Sequence, residues 1–174
     1  MELTLQTCII RPWRLEDVDS LVKNANHRAV SDYLRDSFPH PYTHEEGDAW
    51  VDLCDARRPQ VDFAIEVDGQ AIGGIGLELK TDIFRQTAEI GYWLGPRYWG
   101  RGICSEAVPA VTRWAFETLP FRRIYAGVFS NNAASMRVLE KAGYTREACL
   151  KRAIYKNGQV LDEYIYATWP EEWL

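Results

Sequence analysis

The sequence has no two cysteines close together. Its four cysteines, Cys8, Cys54, Cys104 and Cys149, are far apart, and no two of them form a Cys-x-x-Cys motif. Closely spaced Cys and His residues mark structural zinc sites, and regularly spaced cysteines in a short secreted chain mark a disulfide framework. We therefore expect free thiols and no bound metal.

Long apolar runs and an excess of positive charge are also missing. No segment approaches the roughly 20 consecutive apolar residues that a membrane-spanning helix needs, and the first residues lack the basic and then apolar pattern of a secretion signal. The formal net charge is -5 at pH 7, whereas general nucleic-acid binding depends on clustered Lys and Arg. We expect a cytoplasmic protein that binds neither membranes nor nucleic acid.

The length and the hydrophobic content of the chain are sufficient for one hydrophobic core. The chain has 174 residues, of which 47% are hydrophobic and 13% aromatic, and a chain of this length buries about 70% of its unfolded surface. We expect one domain over residues 1–174. The order of elements is strand, helices, hairpin, strand, helix, strand, helix, hairpin. It predicts an α/β (α+β) fold with a mixed, mostly antiparallel central sheet and helices on both faces.

Turn residues and apolar periodicity locate the main elements. Residues 3–11 alternate and predict one first strand that ends at Pro12. The dipeptides Asp68-Gly69 and Asn157-Gly158 predict two hairpin turns. A helix over 103–118 contains Pro109, which predicts a bend. Another helix is predicted over 132–142.

A first group of glycines, at 73, 74 and 76, lies inside the second strand of the first predicted hairpin. A dinucleotide-binding loop would instead follow a strand and open a helix. These glycines therefore predict a bulge or close packing of the strand.

A second group of glycines lies between the predicted strand 88–94 and the helix that begins near residue 103. Gly100 and Gly102 let the backbone approach a ligand without a Cβ in the way. The first turn of a helix offers unpaired N–H groups and a partial positive charge, and Arg97 and Arg101 add full charges. We predict that residues 97–102 bind a pyrophosphate.

Several further motifs occur in a characteristic order. They are Ile9-Ile10-Arg11-Pro12, residues 38–43, the strand 88–94 followed by Arg97-x-x-Gly100-x-Gly102, Asn132-x-x-Ser135 leading into residues 139–144, and Asn157-Gly158 with Asp162 and Tyr164. Together they resemble the GNAT superfamily of acyl-CoA N-acyltransferases, in particular its RimJ/RimL-like branch of ribosomal-protein N-terminal acetyltransferases. The resemblance implies direct transfer of the acetyl group of acetyl-CoA to a primary amine, on a protein N-terminus or a small molecule. The alternative is a non-catalytic acyl-CoA-binding module.

The resemblance also implies how the cosubstrate binds. Residues 97–102 would hold the pyrophosphate of acetyl-CoA, and the backbone of Trp93 and Leu94 would pair with its pantetheine arm. Asn132 would contact the same arm from the start of the next helix. Asparagine also favours the N-cap position for its own hydrogen bonding, and both roles are open.

Acetyl transfer benefits from a base and an acid. Alternation along the strand places Glu89 on the same face as Trp93, so Glu89 is the candidate base; the alternatives are a structural pairing with an arginine and a solvated strand end. Many GNAT enzymes carry a tyrosine where this chain has Leu139, so Ser135, one helical turn earlier, is the candidate proton donor. Its alternatives are a cofactor contact and a bond to a backbone carbonyl.

Three residues are candidates for the acceptor pocket. Phe38, His40 and Tyr42 either line that pocket or only pack the turn between two helices. His40 and His44 lie four residues apart, but Pro41 makes a shared helical face improbable, so we expect no metal there. The tryptophans of the 169–174 tail pack internally or lie at a partner surface, which leaves a homodimer open.

Overall fold

The computed structural model describes the whole chain from Met1 to Leu174, which divides into two compact units. The first unit contains Met1–Gly76 and Tyr92–Ile103, and the second contains Leu77–Gly91 and Cys104–Leu174. The single domain expected from the sequence stays a prediction. None of the helices combines the length and apolar character that crossing a membrane requires.

Eight strands and five α-helices make up the fold. The strands are β1 (Leu3–Thr4), β2 (Ile9–Pro12), β3 (Asp62–Val67), β4 (Gln70–Leu79), β5 (Thr87–Leu94), β6 (Arg123–Phe129), β7 (Thr145–Lys156) and β8 (Gln159–Thr168). The helices are α1 (Val18–Ala25), α2 (Arg28–Ser31), α3 (His44–Ala56), α4 (Ile103–Thr118) and α5 (Ala133–Lys141). The sheet has the strand order β1-β2-β3-β4-β5-β6-β8-β7.

The predicted mixed and mostly antiparallel sheet is confirmed. In the first unit, β1 pairs with β2, β2 with β3, and β3 with β4, all antiparallel. In the second unit, β6 and β7 both pair antiparallel with β8. The parallel pair is β5 with β6, so one crossover through α4 interrupts an otherwise antiparallel order.

The start of the chain differs from its prediction. Residues 3–11 do not form one strand, because the Leu5 N–H donates to the Cys8 carbonyl (2.9 Å) and closes a tight turn. The turn folds β1 back on β2, and Leu3 pairs with Ile10. Residues 5–8 contain no Gly, Pro, Asn or Asp, so no turn signal located the reversal.

The core of the first unit lies among α1, α3, β3 and β4. Its buried side chains include Trp13, Leu21, Val51 and Cys54, and partly buried aromatic residues pack against them. The predicted hairpin between β3 and β4 is confirmed, since Asp68 (φ 51°) and Gly69 (φ 76°) have the positive φ values of a type I′ turn.

The core of the second unit is built from α4, β6, α5 and β8. Burial alternates along β6, and α4 continues past Pro109 without a break. The Tyr144 hydroxyl lies 2.7 Å from the Thr112 hydroxyl, and both side chains are buried. The predicted hairpin between β7 and β8 is confirmed, with positive φ at Asn157 (50°) and Gly158 (78°).

The C-terminal tail packs within the second unit. The Trp173 ring meets the Tyr144 ring edge-on at a centroid distance of 6.4 Å, and its indole N–H donates to the Thr168 hydroxyl (2.7 Å). Arg113 donates to the Trp173 carbonyl (2.7 Å). The sequence left open whether the tryptophans of the tail pack internally or lie at a partner surface, and Trp173 packs internally.

Candidate functional site

The loop that follows β5 has the backbone conformation that its glycines predict. A short 3-10 helix, Pro96–Tyr98, leads into Gly100 (φ 73°) and Gly102 (φ 80°), after which α4 begins at Ile103. A Cβ added at Gly100 or at Gly102 would meet no protein atom within 4 Å. The glycines are therefore needed for their positive φ and not for close packing within the protein.

This loop also presents hydrogen-bond donors and positive charge. The N–H groups of residues 100, 101 and 102 donate none of the backbone hydrogen bonds formed outside helices and strands. Arg97 and Arg101 are exposed, and the Arg101 guanidinium lies over the Tyr98 ring at 5.2 Å from its centroid. Free N–H groups, two cations and a helix start form an arrangement suited to an anion.

The end of β5 lies unusually close to β4 in the first unit. A Cβ at Gly73 would stand 2.2 Å from the Trp93 carbonyl oxygen, and one at Gly74 would stand 2.9 Å from the Trp93 indole nitrogen. The Gly95 N–H donates to the Ile72 carbonyl (2.8 Å). The close packing predicted for these glycines is confirmed.

The predicted contact of this strand end with pantetheine stays a prediction. Leu94 is buried and Trp93 half-buried. The Leu94 carbonyl already accepts the indole N–H of Trp99 (2.9 Å), which ties the loop to the strand. A ligand that pairs with this strand end would share that carbonyl or use the Trp93 backbone.

The three candidates for the acceptor pocket separate into two kinds. Phe38 contacts Tyr42 (ring centroids 5.1 Å apart) and Trp93 (5.4 Å). Tyr42 is buried, and burial raises the pKa of its hydroxyl to about 12. His40 is exposed. The aromatic pair thus has packing contacts, and a role in acceptor binding stays a prediction for all three.

His44, the second histidine that was considered as a metal ligand, has a carboxylate neighbour. His44 Nε2 lies 2.9 Å from Asp19 Oδ1. The absence of a metal from the reaction stays a prediction.

Glu89, the candidate base, lies in the second unit within a polar group. Its Oε2 accepts from Lys80 Nζ (2.9 Å) and from the Tyr125 hydroxyl (3.0 Å). The sequence left open a structural pairing with an arginine, and the cation found beside Glu89 is a lysine. The role of Glu89 in proton transfer stays a prediction.

Sequence reasoning missed Lys80 and Tyr125. Burial raises the pKa of the Tyr125 hydroxyl, and the nearby Glu89 charge adds to the effect. Burial acts to lower the pKa of Lys80, but its hydrogen bonds to Glu78 and Glu89 outweigh this and raise it. Both groups therefore stay protonated at neutral pH. The sequence shows only that Lys80, Glu89 and Tyr125 lie on three predicted strands. It does not show that these three side chains contact one another.

The start of α5 brings Asn132 and Ser135 together. The Asn132 side chain accepts the Ser135 N–H (3.2 Å), so Asn132 is the N-cap of this helix. Ser135 is half-buried in the first turn, and Leu139, one turn later, is fully buried. The N-cap role is confirmed, whereas contact of Asn132 with pantetheine and proton donation by Ser135 stay predictions.

Comparison with known families assigns this chain directly. The family model described as an acetyltransferase (GNAT) domain matches residues 8–145, which is more than half of the chain. The match covers the loop, Glu89, Asn132 and Ser135.

Curated relatives carry N-acetyltransferase names. An uncharacterized N-acetyltransferase of Bacillus subtilis (strain 168), YnaD, is 28% identical over 173 residues, 99% of each chain. The ribosomal-protein-serine acetyltransferase of Escherichia coli (strain K12) is 32% identical over 105 residues, 60% of this chain and 58% of the relative. The spermidine N(1)-acetyltransferase of the same strain is 26% identical over 156 residues, 86% and 79% of the two chains.

Solved structures show the same fold. A GNAT-family acetyltransferase from Bacillus anthracis superposes with a TM-score of 0.84 at 25% identity, over 98% of this chain and 99% of that one. A RimL acetyltransferase of ribosomal L7/L12 in complex with coenzyme A has a TM-score of 0.85 at 23% identity, over 97% and 98% of the two chains. The resemblance seen in the sequence is confirmed: this chain is an acyltransferase and belongs to the GNAT family of N-acetyltransferases.

Proposed function

We propose that this N-acetyltransferase uses acetyl-CoA as cosubstrate and moves its acetyl group directly to a primary amine. The observation that carries the proposal is the loop at residues 97–102, in which positive-φ glycines leave backbone N–H groups unused between two exposed arginines. A diphosphate carries the charge and the acceptor oxygens that such a loop complements.

The chemistry requires a neutral amine, a base for the proton that the amine loses and a proton donor for the departing thiolate. The amine must be neutral, although free alkyl amines have a pKa of about 10. Its nitrogen then attacks the thioester carbonyl carbon, the carbon–sulfur bond breaks, and the departing thiolate takes up a proton. In this proposal Glu89 accepts the proton from the amine, directly or through water, and Ser135 donates its hydroxyl proton to the thiolate while it takes up a proton from water. No metal is needed for any of these steps.

The acceptor belongs to one of two chemical classes. The relatives include one named for ribosomal-protein serine and one named for N(1) of spermidine; spermidine is a small-molecule amine, and a protein that begins with serine carries a primary amine at its N-terminus. Phe38 is half-buried and packs against the buried Tyr42, and in this proposal the Phe38 ring is the aromatic surface that either class contacts through apolar carbon or a cation. We propose a primary amine on a protein N-terminus or a small molecule, in the cytoplasm.

The test is thiol release from acetyl-CoA in the presence of an acceptor panel. The panel contains short peptides with a free N-terminal Ser or Ala and also spermidine, and the same peptides with acetylated N-termini are the matched controls. Thiol release with free amines and none with blocked peptides is the expected result. A thermal shift with acetyl-CoA but no release with any amine would favour the non-catalytic acyl-CoA-binding module.

A further inference from the structure

The polar group around Glu89 lies at the last paired position of two parallel strands. The register of β5 and β6 pairs Thr87 with Arg123, then Ala88 with Ile124, and ends with Glu89 and Tyr125. Beyond this point β6 continues to Phe129 and pairs through its other edge with β8. Glu89 and Tyr125 are thus the last residues to face each other across the parallel pair.

The three residues of this group lie on or next to three different strands, and all three residues belong to the second unit. Lys80 follows the end of β4, Glu89 lies in β5 and Tyr125 in β6. The Glu89 side chain is 13% exposed and that of Lys80 is 23% exposed, so water screens their ion pair less than it screens a surface pair. Both donors approach the same carboxylate oxygen, Oε2, which fixes the direction of the carboxylate.

The donors are themselves held by charged neighbours. Lys80 Nζ also donates to Glu78 Oε1 (2.7 Å). The Arg123 guanidinium lies over the Tyr125 ring at 4.6 Å from its centroid and forms an ion pair with Glu147. Each donor therefore has a second charged neighbour, which is Glu78 for Lys80 and Arg123 for Tyr125. Neither donor relies on Glu89 alone for its position.

We propose that Lys80 and Tyr125 are positioning residues for acetyl transfer, which hold the Glu89 carboxylate in a single orientation at the last paired position of β5 and β6. The inference rests on the proposed role of Glu89 as base. A base must lie within hydrogen-bond reach of the proton that it takes, and small displacements of a catalytic group are costly in rate. Neither residue takes part in the chemistry itself.

The first test measures steady-state kinetics of Tyr125→Phe and Lys80→Met with the best acceptor of the panel. We expect each variant to lower kcat by about tenfold, the effect of roughly 1.4 kcal/mol on the barrier, with the KM for acetyl-CoA unchanged. Lys80→Arg retains the cation and should recover most of kcat. Tyr144→Phe is the matched control, since it removes another tyrosine hydroxyl bond in the same unit; an equal loss of kcat there would overturn the proposal.

The second test repeats both substitutions in a Glu89→Gln background. If Lys80 and Tyr125 act through Glu89, they should cause no further loss of kcat there; full additive losses would contradict the inference.

The possible outcomes distinguish a failure of the proposed function from a failure of the positioning roles of Lys80 and Tyr125. Normal wild-type turnover with an unimpaired Glu89→Gln variant overturns the base and its positioning residues together but leaves the transferase. Absence of wild-type turnover with every amine overturns the proposed function. Normal wild-type turnover, an impaired Glu89→Gln and unimpaired Lys80→Met and Tyr125→Phe overturn only the positioning proposal.

Discussion

Gly102→Val tests the pyrophosphate loop, and Gly158→Val supplies a matched control. Both glycines have almost the same φ (80° and 78°), both are exposed, and a Cβ at either would meet no protein atom within 4 Å. The two substitutions therefore impose the same kind of backbone strain. They differ in place, because Gly102 lies in the proposed pyrophosphate loop and Gly158 in the turn between β7 and β8.

The magnitudes follow from the shared strain and the proposed ligand. A non-glycine residue in the left-handed region costs about 1–2 kcal/mol, and 1 kcal/mol shifts Tm by about 2–4 °C for a chain of this size. Each variant should thus melt about 2–8 °C below the wild type without ligand. Loss of two hydrogen bonds to a charged phosphate, roughly 1.5 kcal/mol each, should weaken acetyl-CoA binding by Gly102→Val about 100-fold.

The assay is thermal unfolding with and without acetyl-CoA at about 100 times the wild-type Kd, where binding adds about 2.7 kcal/mol of stability. The wild type and Gly158→Val should both gain about 5–11 °C. Gly102→Val should gain less than about 2 °C. An equal gain in all three proteins would refute the assignment of this loop to the pyrophosphate.

Three further predictions concern other parts of the chain. Arg11 is 2% exposed and contacts two carboxylates, so Arg11→Met should lower the free energy of unfolding by about 3–5 kcal/mol in urea titrations; a loss below about 1 kcal/mol would contradict this. Burial raises the pKa of the Asp62 carboxyl despite a nearby arginine, so the charged form costs stability. Asp62→Asn should therefore raise Tm at pH 7, and the gain should fade as the pH falls below that raised pKa and the native carboxyl becomes protonated. Calorimetry at pH 7 and pH 4 measures this, and equal gains would count against it. Ser135→Ala should lower kcat about 100-fold with KM for acetyl-CoA unchanged; a raised KM with normal kcat would identify a binding role instead.

Features that depend on a few neighbouring residues were predictable from the sequence. The turns at Asp68-Gly69 and Asn157-Gly158 need positive φ at two adjacent positions, which few dipeptides provide. Asn132 caps α5 through a bond to a residue only three positions away. The family also followed from the sequence, because its motifs keep their order along the chain.

Features that depend on pairing between distant segments were not predictable in the same way. The reversal between β1 and β2 was missed, since residues 5–8 carry none of the usual turn residues and only the pairing of Leu3 with Ile10 reveals it. The need for glycine at Gly73 was predicted only as close packing, and the atom that demands it, the Trp93 carbonyl oxygen, is 20 positions further along.

The loop at residues 97–102 and the group around Glu89 differ in what the sequence alone could determine about them. Glycine, arginine and a helix start are adjacent in the sequence, so the sequence by itself determined the positive-φ loop and, with the other motifs, a GNAT acetyltransferase; anion binding by this loop stays a prediction. Only the tertiary structure decided what surrounds Glu89. Its partner Lys80 follows β4 and its partner Tyr125 lies in β6, and the register of a parallel pair is set by packing across the sheet and not by any local pattern.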